Sequence, residues 1–238
     1  MMTHTQNSGS GFSGAVLDGE APVVVELDTA APPAELVALI NDGCDRVEDA
    51  PHTPALVLRL SASGPGSNRP VGPGIREVTR WERTVRRVER LGALTVVAAD
   101  GVCSGAALDL FLAADYRIAG TGLRMVLRDH NGLPWPGMTL YRLAHQVGSA
   151  QARRLLLRGD ALAVEHAHAL GLVDEISDDP ARAEAVPGEV GQSLGGELAV
   201  CRRLVLEAMT TSYEDAIGTH LAACDRSLRH RAAAGLEG

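Results

Sequence analysis

Strand-like and helix-like stretches alternate from Val23 to Ile176, and that alternation predicts an α/β fold with a largely parallel sheet. After residue 196 the pattern turns helical without a break, which predicts a C-terminal helical region. Hydrophobic residues are 45% of the 238-residue chain, enough for a sizeable core, but aromatics are only 3%. Ala, Val and Leu must therefore fill that core. The expected organisation is a flexible Gly/Ser-rich arm over residues 1–14, a core over 15–177, and a helical region over 178–238 placed for subunit contacts.

The elements follow in order. Val23-Val24-Val25-Glu26-Leu27 is a β-branched run closed by Asp28, hence a strand. Pro32-Pro33 opens a helix with Leu36, Leu39, Ile40 and Val47 on one side. Leu56 to Leu60 is a second strand, and the Gly/Pro/Ser stretch over residues 61–74 is a loop. From Ile75 the apolar residues step by three or four through Val78, Trp81, Val85, Val88 and Leu91, which predicts a helix. Residues 94–99 form a buried strand, Asp100-Gly101 a turn, and residues 105–114 a small-residue helix. Residues 116–119 read as a short strand. Residues 138–147, 150–157 and 164–170 read as helices, and residues 172–176 as a strand. Residues 177–196 read as linker, being rich in Pro, Gly and acidic side chains.

The charge balance, 22 basic against 30 acidic residues and net −8, argues against a nucleic-acid binder. All 22 basic residues are Arg. The absence of lysine excludes a Schiff base, a pyridoxal-phosphate lysine and a Walker lysine. Cysteines stand at 44, 103, 201 and 224 with no C-x-x-C pair, so neither a zinc ribbon nor a redox motif is expected. His166 and His168, two apart on a helix, do not share a face and make no metal pair. No apolar stretch approaches the roughly 20 residues of a membrane span, and a cytoplasmic location is expected.

Three blocks carry a resemblance. The first is Ala99-Asp100-Gly101-Val102-Cys103-Ser104-Gly105-Ala106-Ala107-Leu108-Asp109-Leu110, followed by Ala113 through Ala119. The second runs from Gly132 through Pro136-Gly137 to Tyr141-Arg142-Leu143. The third is Leu157-Arg158-Gly159-Asp160, Ala163, Ala167 and Gly171-Leu172-Val173-Asp174. In this order and spacing they resemble the crotonase family, the enoyl-CoA hydratases and isomerases. That resemblance implies a crotonase-like (ClpP/crotonase) spiral of short strands and helices and an acyl-CoA substrate. It also implies no cofactor besides coenzyme A within the substrate, and a homotrimer or dimer of trimers.

The chemistry of the first block is readable in physical terms. A helix that begins near Gly105 leaves its first N–H groups unpaired at the positive end of its dipole. A thioester oxygen on its way to an enolate fits there. Small residues at 105–107 allow close approach of substrate to backbone, or simply tight helix–sheet packing. By resemblance, Ala106 N–H is one oxyanion donor and Asp109 one of two proton-transferring acids. The second donor falls near Gly72-Pro73-Gly74. Pro73 has no N–H, so Gly72 or Gly74 substitutes or the hole has one donor. The second acid is Asp129 if the one-residue gap lies after Met125; otherwise Arg128 occupies the position. His130 beside it is a candidate proton shuttle. Trp135, between two prolines, is read as rigid and partly buried, lining a substrate pocket or plugging the fold.

Arg76, Arg80, Arg83, Arg87 and Arg90 form one helical face, read either as a contact for coenzyme A phosphates or as a solvated face paired with Glu77 and Glu82. Cys103 is read as packing. Ser104 at a helix start would suit a serine peptidase of the related Clp fold only if a histidine reached it. With Cys44-Asp45-Arg46-Val47-Glu48-Asp49 upstream, the overall look is also similar to the auxiliary crotonase-like proteins of dihydroxyphenylglycine formation. That narrower resemblance implies antibiotic biosynthesis in actinobacteria, dihydroxyphenylacetyl-CoA formation and a type III polyketide synthase as partner. The Pro73 and Arg128 departures leave open a catalytically weak protein that assists such a synthase.

Overall fold

A computed structural model describes residues 21–52, 54–61, 74–128, 132, 135–191 and 197–233. Five strands, β1 (Val23–Leu27), β2 (Leu56–Leu60), β3 (Thr95–Ala99), β5 (Tyr116–Ala119) and β8 (Glu175–Ile176), form one sheet in the order β1-β2-β3-β5-β8. Every neighbouring pair in it is parallel. A second sheet pairs β4 (Val102–Ser104) with β6 (Arg124–Val126) in parallel, and β6 with β7 (Leu162–Ala163) antiparallel. The largely parallel sheet agrees with the α/β expectation. The second sheet was not visible beforehand, because strands of two or three residues are too short to show alternation.

Helices α1 (Pro33–Asp49), α2 (Ile75–Arg90) and α3 (Gly105–Ala113) cover one face of the main sheet. Leu56, Leu58 and Leu60 point into that layer with Leu36, Ile40, Trp81, Val85 and Val88. Val57, between them, points to the other face and packs with Leu94, Val96 and Ile118. A central strand buried on both sides needs an apolar run rather than alternation, as β2 has. Ile75 departs from the predicted stripe: it stands 75% exposed at the first turn of α2.

Helix α4 (Met138–Arg158) contains Gly148 at φ +77, which breaks it where two separate helices were expected. It ends on Gly159 at φ +66, a left-handed cap. Helix α5 (Val164–Ala169) follows. Residues 177–196 are more than the linker predicted. Within them α6 (Arg182–Val186) buries Ala183 and Val186 under the main sheet, and a π-helical turn (Pro187–Gly191) follows. Charge fixes this segment: Arg182 binds Glu175 and Glu189, and Arg59 reaches Glu184 at 2.6 Å. The expected strand at 172–176 shortens to its last two residues, while Leu172 and Val173 are buried as loop.

The C-terminal region consists of α7 (Leu198–Ala208) and α8 (Tyr213–Ala233). Arg202 anchors α7, donating to the carbonyls of Leu91 and Ala93 and to Asp115. Its remaining surface exposes Val205, Leu206 and Met209, and α8 exposes Tyr213, Leu221 and Leu228. No helix among the described residues is long and apolar enough to cross a membrane.

Candidate active site

The parallel register brings the site together. Leu60 at the end of β2 lies beside Ala99 at the end of β3, so β2 and β3 end side by side next to Asp100. Gly101 turns the chain at φ +67, β4 follows, and Gly105 turns it again at φ +51 to start α3. Only glycine adopts that conformation without strain. Because Ser104 pairs with Val126, β6 ends beside the same helix start. Ala106 lies in the first turn of α3, where no helical carbonyl is available to its N–H. Gly74 caps α2, its carbonyl accepting from the N–H groups of Glu77 and Val78. Gly72, Pro73, Asp129 and His130 fall outside the described residues.

Arg128 is committed elsewhere. Its guanidinium donates to the carbonyls of Leu156 and Leu157 and lies against Gly159, closing the end of α4. A guanidinium tied in this way is a structural contact at the end of α4.

Asp109 is 1% exposed. Its Oδ2 accepts from Trp81 Nε1 at 2.9 Å, its Oδ1 accepts from the Thr139 hydroxyl, and Arg142 stands 3.6 Å from Oδ1. Burial raises its pKa above the ordinary carboxylate value; Thr139, Trp81 and Arg142 pull it back, and the Glu89 charge adds to the rise. Arg142 is buried as well. Its Nε donates to Glu89 at 2.7 Å, and its NH1 and NH2 both lie 3.3 Å from Glu82 Oε2. Glu82 Oε1 also accepts from the Met138 N–H at 3.4 Å. Burial, then the Asp109 charge, raise the Glu82 pKa. One guanidinium thus serves three carboxyls.

This network corrects one expectation and supplies residues the sequence reading missed. Glu82 does not pair with the arginine stripe. At 100° per residue, Glu82 and Glu89 lie on the face of α2 away from Arg76, Arg80, Arg83 and Arg87. Their seven-residue spacing was the available signal. Arg142 was visible only as a motif letter, because its partners are 53 and 60 residues away.

The stripe itself lines an open cleft of about 600 Å³ against α1, with Asn41, Thr79 and Thr84. Arg87 is neutralised across it by Asp45 at 2.5 Å and Glu48 at 2.6 Å, and donates to Asn41. Arg76, Arg80 and Arg83 have no carboxylate partner among the described residues. Cys44, beneath Arg87, has its thiol pushed up to about 11 by burial.

Trp135 is 40% exposed, and it lies over Gly137, where a Cβ would strike its ring. It stands at the surface with Met138 and Tyr141. Cys103 is fully buried, and burial pushes its thiol up, so it is packing. Ser104 is 1% exposed, which closes it to a peptide substrate. His168 Nδ1 is bonded to the Val173 carbonyl at 2.9 Å. Among the described residues no group of His, Cys, Asp and Glu could hold a metal ion.

Comparison with known proteins gives a consistent result. Residues 79–232 match the family model described as enoyl-CoA hydratase/isomerase. An "Enoyl-CoA-hydratase" of Amycolatopsis orientalis is 46% identical over 222 residues, 91% of this chain and 99% of that one. The crystal structure of an enoyl-CoA hydratase from Thermoplasma volcanium superposes with a TM-score of 0.69 at 20% identity, covering 87% of this chain and 88% of that chain. One from Bacillus anthracis gives 0.67 at 18%, covering 87% and 88%. At such identities the two structures speak for the fold alone, which is the crotonase-like fold.

Proposed function

We propose that this chain, which belongs to the enoyl-CoA hydratase/isomerase family, interconverts enoyl- and hydroxyacyl-CoA thioesters through an enolate held at the start of α3. The observation that carries this reading is the pair of glycine turns that start α3 and leave the Ala106 N–H in its first turn, one helical turn before Asp109. In dehydration, a base removes the proton at C2, the thioester oxygen takes the charge, and hydroxide leaves C3 as water after receiving a proton. Hydration is the reverse. Asp109 and Asp129 are the groups assigned to these two proton transfers, and Gly72 or Gly74 supplies the second N–H to the oxygen. Gly105 keeps the approach to the backbone open, and His130 and Trp135 line the acyl group. A preorganised donor of this kind is worth roughly 10²–10³ in rate.

The purified protein should change mixtures of enoyl- and 3-hydroxyacyl-CoA. Failure on a panel of short, branched and aromatic thioesters would remove the reading. The narrower form is dehydration and aromatisation of a type III polyketide synthase product to dihydroxyphenylacetyl-CoA, in antibiotic biosynthesis. A synthase whose product profile is the same with and without this chain would exclude it. A specific observation favours a second reading, in which the chain chiefly assists that synthase. Both oxygens of Asp109 are already engaged and the carboxyl is closed to solvent.

Two further assignments belong to this reading. The apolar residues that α7 and α8 leave exposed suit a homotrimer or a dimer of trimers, and a monomer in sedimentation at micromolar concentration would refute that. Arg76, Arg80 and Arg83, which have no carboxylate partner among the described residues, are the contact for the coenzyme A phosphates. The double variant R76A/R80A should weaken acyl-CoA binding about tenfold or more, since each bond to a charged group contributes about 1.5–3 kcal/mol. Unchanged affinity in calorimetry would make the stripe mere solvated surface.

A further inference from the structure

Asp109 shares its cation. Arg142 NH1 lies 3.6 Å from Asp109 Oδ1 and 3.3 Å from Glu82 Oε2, while its Nε holds Glu89 at 2.7 Å. Glu89 has a second cation in Arg86 at 2.8 Å. Among the described residues two guanidiniums therefore face three carboxyls, and an excess negative charge remains if all three ionise. The other groups around Asp109 do not supply it: Trp81 and Thr139 are neutral donors, and Cys103 on β4 is a buried thiol. Of the three carboxyls, Asp109 is sealed. Glu82 is the one that reaches outward beside Gly137 and Trp135, with its side chain 20% exposed.

We propose that Glu82 is a positioning residue that sets the proton affinity of Asp109 by competing with it for Arg142. When Glu82 is ionised it draws on the shared guanidinium and adds its own repulsion, so Asp109 keeps its proton to higher pH. When Glu82 is neutral, Arg142 is left to Asp109 and Glu89, and Asp109 releases its proton to solvent at lower pH. The Asp109 charge raises Glu82. Repulsion between two carboxylates is mutual, so an ionised Glu82 acts on Asp109 in the same sense, beside the Glu89 charge that also raises it. The inference deepens the proposed function, since it concerns the group assigned to proton transfer there.

The structure provides a reporter that does not depend on turnover. The Trp81 indole N–H donates directly to Asp109, and the chain has two tryptophans, so W135F assigns its resonance. In the full-length protein the Trp81 N–H shift should follow pH in more than one step, since Glu82 and Glu89 share Arg142 with Asp109. In E82Q the step assigned to Glu82 should be lost and the Asp109 midpoint should fall by roughly one pH unit. E82D, which keeps the charge, should stay near the wild-type midpoint, as should E77Q on the exposed side of α2. The pH limb of turnover assigned to Asp109 should move down with the indole in E82Q. A single step in the wild type, or an unmoved midpoint in a folded E82Q, overturns the proposal. A single step in the wild type overturns it even if E82Q does not fold, and E82D then supplies the comparison at the Glu82 position. A moved midpoint in a protein that turns over no acyl-CoA would overturn the proposed function and leave this inference standing.

Discussion

Asp109→Asn is expected to lower acyl-CoA turnover by roughly 10²–10⁴-fold, the range for losing a positioned proton-transfer group. The substitution is nearly isosteric. An asparagine oxygen still accepts from Trp81 Nε1, and the amide still meets the Thr139 hydroxyl. Removing a charge from a site this buried also relieves a desolvation cost rather than adding one. The fold should therefore survive, with an unchanged melting temperature or a slightly higher one. Steady-state kinetics should show the loss in kcat with KM little changed, because an interaction made in the transition state has been removed. Equal rates for D109N and wild type would take proton transfer away from Asp109. They would favour the reading in which the chain assists a partner.

That prediction was available from the sequence, whereas the surroundings of Asp109 were not. The alternation of strands and helices gave β1, β2, β3 and β5 with the helices between them, because each has a period long enough to read. Gly101 was visible as a turn signal and stands at positive φ, whereas the positive φ of Gly105 and Gly159 was not read from the sequence. The short strands β4, β6 and β7 were invisible, since pairing between distant segments, not local pattern, makes them strands. The same limit hid the ion cluster. Arg142, Glu82 and Asp109 sit on three helices, and nothing local in the sequence marks which arginine among 22 goes inside. The narrow apolar stripe of α2 misled in the other direction. It placed Ile75 in the core, but the first turn of that helix projects beyond the layer it covers. Glu82 was assigned to the nearest arginines in sequence, when helix geometry turns it toward α4.

Arg142→Met should show the largest loss of stability in the chain. Methionine fills most of the volume of the arginine stem but removes the cation that serves Asp109, Glu82 and Glu89. Breaking a buried ion pair by deleting one partner costs about 3–5 kcal/mol, because the stranded charge is left desolvated. For a chain of this size that corresponds to a fall in melting temperature of about 10 °C or more. The sign of the pH dependence separates this mechanism from simple loss of packing. Asp109 and Glu82 are already raised above their ordinary carboxylate values, and without Arg142 they rise further. In the pH window between the ordinary carboxylate value and the raised one, the folded state binds more protons than the unfolded state. Stability there falls as pH rises. The deficit of R142M should accordingly be greatest above that window and shrink as the pH is lowered through it, as the stranded carboxyls protonate. Thermal melts of both proteins at several pH values make the comparison. A deficit that stays constant with pH would mean that Arg142 contributes only its stem. The double variant R142M/D109N should then recover nothing, whereas a stranded charge predicts that it regains a substantial part of the loss.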